Sequence, residues 1–127
     1  MDIHAYLKEP LMLSPGYAHA VPTGLRVALP EVLDGDYVWQ LEIRPKSGLA
    51  LKQNLTVLNS PGTIDSGFRS EIKVILFNAG DDAVLIQPNQ KIAQMVLTKA
   101  YRIDWEITED LGDTERGEGG FGSSGLF

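Results

Sequence analysis

Apolar and polar residues alternate strictly in two stretches of the chain, Trp39 to Arg44 and Tyr101 to Thr108. Successive side chains of a β-strand point to opposite faces, so this period of two predicts two half-buried strands. A shorter alternation from Leu25 to Leu29 predicts another strand. The largely apolar run from Ile72 to Phe77 predicts a strand that is buried on both faces.

Turn signals separate these strands, and they include Ser14-Pro15-Gly16, Pro30, Asp34-Gly35, Ser60-Pro61-Gly62, Gly80-Asp81 and Gln87-Pro88-Asn89. Short strands with regular turns predict an all-β fold, either a sandwich or a jelly roll. Residues 47–53 are expected to form one helical turn. Residues 89–111 contain no glycine or proline and could be drawn as a helix, but alternation from Tyr101 and the β-branched and aromatic content favour a strand.

Composition narrows the class of protein. The 127 residues, 43% of them apolar, fit one domain with a modest core, and no run approaches the ~20 apolar residues of a membrane span. Without cysteine there is no disulfide framework and no thiolate zinc site, and two histidines make a histidine metal cluster improbable. No charged-then-apolar leader opens the sequence, so the expected location is the cytoplasm. A net charge of -6 argues against duplex nucleic acid as a ligand.

Three segments carry candidate chemistry, each with a plainer alternative. Residues 44–50 end a strand with Lys46, Ser47 and Gly48, which could bind an anion or simply form a turn. Asp65 directly follows an apolar residue in the 59–71 loop, so its carboxylate could aim a water molecule as a nucleophile or merely cap the turn. The 115–127 tail combines Arg116 and Phe121 with glycines, as a phosphate and base lid would, although chain ends are commonly disordered.

Four segments, in this order, resemble the motifs of the trimeric dUTPases, the dUTP pyrophosphatases. They are RPKSGLALK at 44–52, VLNSPGTIDSGFRSEIKVILFN at 57–78, KIAQMV at 91–96 and TERGEGGFGSSG at 114–125. The segment at 15–30 supports the match. This resemblance implies a jelly-roll domain over 1–114, a Gly-rich lid over 115–127, and a homotrimer. The four segments are the second to fifth motifs of that family. In the homotrimer each site takes the second and fourth motifs (44–52 and 91–96) from one chain, the third (57–78) from another, and the fifth (114–125) from the remaining one.

The resemblance also implies the reaction and the residues that carry it. Asp65 would activate the water that attacks the α-phosphorus of dUTP, giving dUMP for thymidylate synthesis and pyrophosphate, and keeping uracil out of DNA. Mg2+ would arrive on the triphosphate, with Asp2 reaching it through water. The implied substrate contacts are phosphate binding by Lys46, Ser47, Gly48, Gln94 and Arg116, uracil recognition by the Asn59 to Ile64 segment (Asn59, Gly62, Thr63, Ile64), deoxyribose packing by Phe68 beside Lys73, and closure by Phe121, Gly122 and Ser123.

Some positions depart from the family pattern. Phe68 stands where tyrosine is usual, Lys46 where arginine is usual, and Asn89-Gln90-Lys91 where the pattern is Gly-Asp-Arg. We hypothesise that a family ion pair between the arginine and the acid has been replaced as a unit. The chain opens at the aspartate of the first motif, which favours Met1 being an internal methionine of a longer protein.

Two other functions remain open from the sequence. One is a dCTP deaminase on the same fold, a group that lacks the GGFGSSG ending found here. The other is a weakly active or non-catalytic relative that binds nucleotide or a protein partner, since a fold does not guarantee an activity.

Overall fold

The computed structural model describes residues 1–33 and 35–120. Within them nine strands and one helix follow one another along the chain. They are β1 (Asp2–His4), β2 (Leu11–Leu13), β3 (Ala18–Pro22), β4 (Tyr37–Pro45), α1 (Ser47–Gln53), β5 (Leu55–Val57), β6 (Gly62–Ile64), β7 (Lys73–Asn78), β8 (Val84–Ile86) and β9 (Lys91–Tyr101). The predicted strand at Trp39 to Arg44 is confirmed as part of β4, and the predicted helical turn is confirmed as α1.

The strands form three antiparallel sheets, with the orders β1-β9-β4-β6, β3-β7-β5 and β2-β8. The long pair β4 and β9 is the backbone of the largest sheet, in register from Tyr37 opposite Tyr101 to Pro45 opposite Ala93. This arrangement is the predicted jelly roll. No helix among the described residues has the length and apolar character needed to cross a bilayer.

Apolar side chains from all three sheets form one core. The largest fully buried members are Ile3, Val21, Leu55, Ile72, Val74, Leu76, Ile86 and Ile92. Alternation decides which face of each strand enters this core. In β7, Val74 and Leu76 are buried while Lys73 is exposed and Ile75 half-buried, so the prediction of a strand buried on both faces is wrong.

The strand predicted at 72–77 does exist as β7, but the strand predicted at 25–29 does not form and the one predicted at 101–108 fails beyond Tyr101. Residues 25–29 form no ladder; Leu25 accepts one hydrogen bond from Ile72 N, and Val27 and Leu29 pack against the core from a loop. In the second case the strand preferred for 89–111 exists, but β9 ends at Tyr101, because β4, its pairing partner, begins at Tyr37. Beyond that point the alternating apolar residues 103, 105 and 107 are exposed.

Asn78 is a fully buried polar residue at the end of β7. Its amide donates to the carbonyl oxygens of Leu13 at 3.0 Å and Asp82 at 2.8 Å, and its Oδ1 accepts from Gly80 N at 2.9 Å. Both hydrogens of Nδ2 and the acceptor Oδ1 are therefore used, as burial of such a group requires. The contacts tie β7 to β2 and to the turn before β8.

Candidate active site

The end of β4 presents the first group of predicted site residues. Pro45 ends the strand, and Lys46 precedes α1 in an extended conformation, with its carbonyl oxygen accepting from Leu49 N at 3.1 Å and Ala50 N at 3.0 Å. The first amides of a helix have no partner within the helix. A Cβ built on Gly48 would meet no atom within 4 Å, so the space beside the Ser47-Gly48 backbone is open.

Asp2 lies between two lysines at this end of the sheet, and we call Asp2, Lys46 and Lys91 the carboxylate–lysine cluster. Lys46 Nζ donates to Oδ1 at 2.7 Å, and Lys91 Nζ is 2.9 Å from Oδ2. The hydrogen bond from Lys46, followed by that from Lys91, holds the pKa of Asp2 well below its ordinary value of 3.8. The cluster thus keeps an ionised carboxylate between two cations and has one net positive charge.

The backbone holds Asp2 in place. Met1 and Met95 exchange two main-chain hydrogen bonds of 2.8 Å, and Asp2 is in register with Gln94. Gln94 itself is exposed on β9 and lies between Asp2 on one side and Arg44 on the other. Two of the predicted phosphate-binding side chains, Lys46 and Gln94, therefore share one end of the β1-β9-β4 sheet.

At Lys46 and Gln90 the chain departs from the family pattern, and both side chains have hydrogen-bond partners. Lys46 pairs with Asp2, whereas Gln90 Oε1 accepts from Gln87 N at 2.8 Å within the turn before β9. Lysine offers a point charge rather than the planar fork of arginine. In this chain the cation at position 46 finds its acid on β1 and not at position 90.

The predicted uracil-recognition residues form a second group, around β6. Gly62 is buried opposite Ile43, and a Cβ at Gly62 would come within 3.3 Å of Asn59 Nδ2 and 3.4 Å of the Ile43 Cβ. A side chain at position 62 would thus crowd Asn59 and the strand. Thr63 is exposed, and Ile64 packs against the core.

Asp65 begins the turn that follows β6. Its carbonyl oxygen accepts from Phe68 N at 3.1 Å, which closes a four-residue turn through Ser66 and Gly67. Asp65 is exposed and Phe68 is 38% exposed, so both residues are accessible to a ligand. The expectation from the sequence that Asp65 sits on a rigid strand segment is wrong, because β6 ends at Ile64 and Asp65 opens the turn beyond it. Lys73 is exposed at the start of β7, after the same loop.

One chain does not bring the two groups together. Asp2 lies level with Arg44 of β4, and Asp65 lies one residue beyond Ile64, which is level with Leu41. Three strand spacings, about 14 Å, and four residue steps, about 13 Å, separate the Cα positions of Asp2 and Asp65, which gives about 19 Å along a flat sheet. A general base must be within one water molecule of the atom that it serves, and within one chain Asp65 lies much farther than that from the carboxylate–lysine cluster.

The other predicted residues lie apart from both groups. Arg116 Nε donates to the carbonyl oxygen of Gly119 at 2.8 Å. Phe121, Gly122 and Ser123 lie outside the described residues. A cavity of about 370 Å³ between the end of α1 and the β7–β8 turn contains none of the predicted site residues.

Two residues near the site were missed by sequence reasoning. Lys91 lies in the fourth motif, and its position after Asn89-Gln90 was noted, but its acidic partner on β1 is remote in sequence. Arg69 follows Phe68 and donates to two carbonyl oxygens of the same turn. Its place beside the aromatic residue was the available signal.

The residues that the structure describes hold no group of three or more metal-ligating side chains. Asp2 is the predicted magnesium contact, and each of its oxygens already faces a lysine. A carboxylate can accept about four hydrogen bonds, so a water-mediated contact fits, but these residues form no cage for a resident ion. They fit a magnesium ion that enters with a phosphorylated ligand.

Cations, a hydroxyl and an exposed carboxylate arranged on a jelly roll are features of a site for phosphorylated ligands. The family model described as dUTPase matches residues 3–125. The chain is 47% identical over 127 residues to the deoxyuridine 5'-triphosphate nucleotidohydrolase of Rickettsia bellii, covering 100% of this chain and 81% of that protein. It is 46% identical over 125 residues to the Chlamydia pneumoniae protein of the same name, covering 98% and 82%. The chain therefore belongs to the dUTPase family.

Solved structures agree on the fold. The dUTPase of Staphylococcus bacteriophage 80alpha, with dUPNHPP, superposes with a TM-score of 0.74 at 25% identity, over 98% of this chain and 85% of that chain. The native EIAV dUTPase gives 0.72 at 22% identity, over 88% and 84%. The jelly roll is thus shared by proteins with much lower sequence identity.

Proposed function

We propose that this protein hydrolyses dUTP to dUMP and pyrophosphate in the cytoplasm, which supplies dUMP for thymidylate synthesis and keeps uracil out of DNA. Membership in the dUTPase family carries this proposal. The structure supports it with three kinds of group that the reaction requires. They are the exposed carboxylate of Asp65, the accessible aromatic residue Phe68, and the two lysines that pair with Asp2.

The phosphate end uses the carboxylate–lysine cluster. Lys46 supplies positive charge, Ser47 its hydroxyl, and the open backbone at Gly48 its amide, while Gln94 adds a side-chain amide from β9. Asp2 holds the two lysines at a fixed separation. The triphosphate then meets cations that are already oriented, which lowers the entropy lost on binding.

The base end uses the loop at 59–64. Backbone groups of this loop pair with the edge of uracil, and the buried Gly62 keeps Asn59 close to the strand. A site that hydrogen-bonds one base edge rejects cytosine because polar groups would remain unpaired, and a close wall rejects the methyl group of thymine. Phe68 packs against the deoxyribose and leaves no room for a 2'-hydroxyl, with Lys73 beside this pocket.

Asp65 acts as the general base. Its carboxylate accepts a proton from a water molecule, whose oxygen forms a bond to the α-phosphorus. The bond from that phosphorus to the bridging oxygen breaks, and the electron pair leaves with pyrophosphate. Asp2 would contact, through water, a Mg2+ ion carried by the triphosphate, and that ion would supply neutralisation of charge on the phosphates.

The active assembly is a homotrimer with sites shared between chains. The estimated 19 Å between Asp2 and Asp65 supports this arrangement, since it exceeds the length of a triphosphate group. One chain therefore contributes Asp65 and the 59–64 loop, and a neighbour contributes Lys46 and Gln94. The lid at 115–127, with Arg116 and Phe121, comes from the remaining chain.

Steady-state pyrophosphate release from dUTP, dCTP, dTTP and UTP tests the proposal. We expect release from dUTP, little from the other three, and loss of turnover in Asp65→Asn by several orders of magnitude. Asp81→Asn, an exposed aspartate in the turn before β8, is the matched control and should behave as wild type. Binding of dUTP without release by the wild type would support a non-catalytic relative and would refute hydrolysis. Ammonia release from dCTP would identify a deaminase.

A further inference from the structure

The turn that carries Asp65 and Phe68 has little packing of its own. Asp65, Gly67 and Phe68 are all exposed, and a Cβ built on Gly67 would meet nothing within 4 Å. The main-chain bond from Phe68 N to Asp65 O closes the turn. Exposed turns with few contacts open at low free-energy cost, so another contact is needed to fix the geometry of a catalytic carboxylate here.

Arg69 supplies such a contact. Its Nη1 donates to the carbonyl oxygen of Ser66 at 2.6 Å and to that of Phe68 at 3.0 Å. Both carbonyls belong to the turn, and hydrogen bonds from a charged donor are stronger than neutral ones. None of the ion pairs among residues 1–33 and 35–120 involves Arg69. The guanidinium group is thus engaged with the turn rather than with an acid.

We propose that Arg69 is a positioning residue, which fixes the Asp65 carboxylate relative to the Phe68 ring. Asp65 and Phe68 are the first and last residues of the same turn. Arg69 binds the carbonyl oxygen of Ser66, which lies between them, and that of Phe68 itself. This inference rests on the proposed function, because it concerns the base and the sugar-packing ring of that reaction. Arg69 itself contacts neither the water nor the phosphorus.

The position of Arg69 separates catalytic from structural effects. Its bonds lie within one exposed turn and cross to no other strand, so their loss leaves the core and the sheets unchanged. A displacement of about 1 Å at a catalytic group lowers turnover by about a hundredfold. Removal of Arg69 should therefore lower kcat and relax the rejection of UTP, while the melting temperature hardly changes.

The test compares Arg69→Ala, Arg69→Lys and Arg102→Ala in the full-length protein. Arg102 is the matched control because its Nη2 also donates to a main-chain carbonyl, that of Val32 at 3.1 Å, outside the turn that carries Asp65. For each variant kcat and KM for dUTP, the kcat/KM ratio of dUTP to UTP, and the melting temperature are measured. Arg69→Ala is also assayed with added methylguanidinium.

We expect Arg69→Ala to lose about 10- to 100-fold in kcat, with KM changed by less than about threefold, and to lose selectivity against UTP. Arg69→Lys should be intermediate, and methylguanidinium should raise the kcat of Arg69→Ala but not that of Arg102→Ala. If Arg69→Ala is poorly folded, Arg69→Lys gives the same comparison.

Suppose that the wild type releases pyrophosphate from dUTP and that Asp65→Asn does not. Two results would then overturn the inference about Arg69 and leave the proposed function standing. One is a kcat and selectivity of Arg69→Ala equal to those of Arg102→Ala. The other is a raised KM with unchanged kcat, which would make Arg69 a phosphate contact. A wild-type protein inactive on dUTP would overturn the proposed function together with the inference.

Discussion

The separation of Asp65 from the carboxylate–lysine cluster predicts that two inactive variants restore activity in a mixed trimer. The two variants are Asp65→Asn and Lys46→Ala. About 19 Å lies between Asp65 and Asp2, the partner of Lys46, in one chain. In the proposed trimer each complete site takes Asp65 from one chain and Lys46 from its neighbour, so a site with both residues intact would form only where the two variants adjoin.

The expected magnitude follows from the closed ring. Around a ring of three chains, any mixture of the two variants has one junction in the productive order, so about one site in three has both residues intact. Mixed trimers should thus release pyrophosphate at about one-third of the wild-type rate per trimer. If both residues served a site within one chain, every site would carry a defect.

The assay uses chains with two different affinity tags, co-expressed and purified through both tags in succession, so that only mixed assemblies are kept. Tagged mixtures of Asp65→Asn with itself and of Lys46→Ala with itself give the residual rates. Light scattering checks that each preparation has the mass of a trimer. Mixed trimers no more active than these two controls would refute the reasoning from the sheet.

Other perturbations test individual contacts. Asn78→Ala should lower the free energy of unfolding in urea by about 3 kcal/mol, because one buried and two part-buried hydrogen bonds of about 1 kcal/mol each are lost. Gln53→Ala, at an exposed position, should leave the free energy of unfolding unchanged, and equal urea midpoints for the two variants would contradict this account. Asp2 has a lowered pKa in the fold, so its stabilisation is present above its ordinary value of 3.8 and lost as pH falls through the lower folded pKa. The difference in melting temperature between wild type and Asp2→Asn should therefore be constant near neutral pH and shrink in acid, whereas a constant difference down to the lowest pH would count against the ion pairs. Phe68→Ala should lower the kcat/KM ratio of dUTP to UTP by about tenfold or more, since the ring excludes the 2'-hydroxyl; an unchanged ratio would remove that role. Deletion of 115–127 should leave assembly by light scattering unchanged and nearly abolish turnover, and an unaffected rate would remove the tail from the mechanism.

The alternation of apolar and polar residues predicted a strand correctly where a partner strand pairs with the whole alternating segment. The alternation at Trp39 to Arg44 lies opposite β9 on one side and opposite β6 on the other, so the pattern and the structure coincide. The same pattern beyond Tyr101 gave a wrong strand end. Alternation reports that a segment can pair, whereas the length of a ladder depends on where a distant partner begins, here Tyr37.

The candidate site was predictable as a set of residues but not as an arrangement. Ordered motifs identified Lys46, Asp65 and Gln94, yet the acid that pairs with Lys46 is 44 residues away in sequence. Such a pair arises only because β1 and the end of β4 flank β9. The role of Arg69 was similarly hidden, because its partners are carbonyl oxygens, which every residue has.

The sheet order β1-β9-β4-β6 has a consequence for how the activity depends on the amount of protein. In the proposed trimer a lone chain would carry two halves of different sites, one on either side of β4, and neither half would turn over substrate without neighbours. We expect specific activity to fall on dilution below the concentration at which chains associate, and to return on concentration. Cells that make too little of this protein would therefore lose activity more steeply than they lose chains.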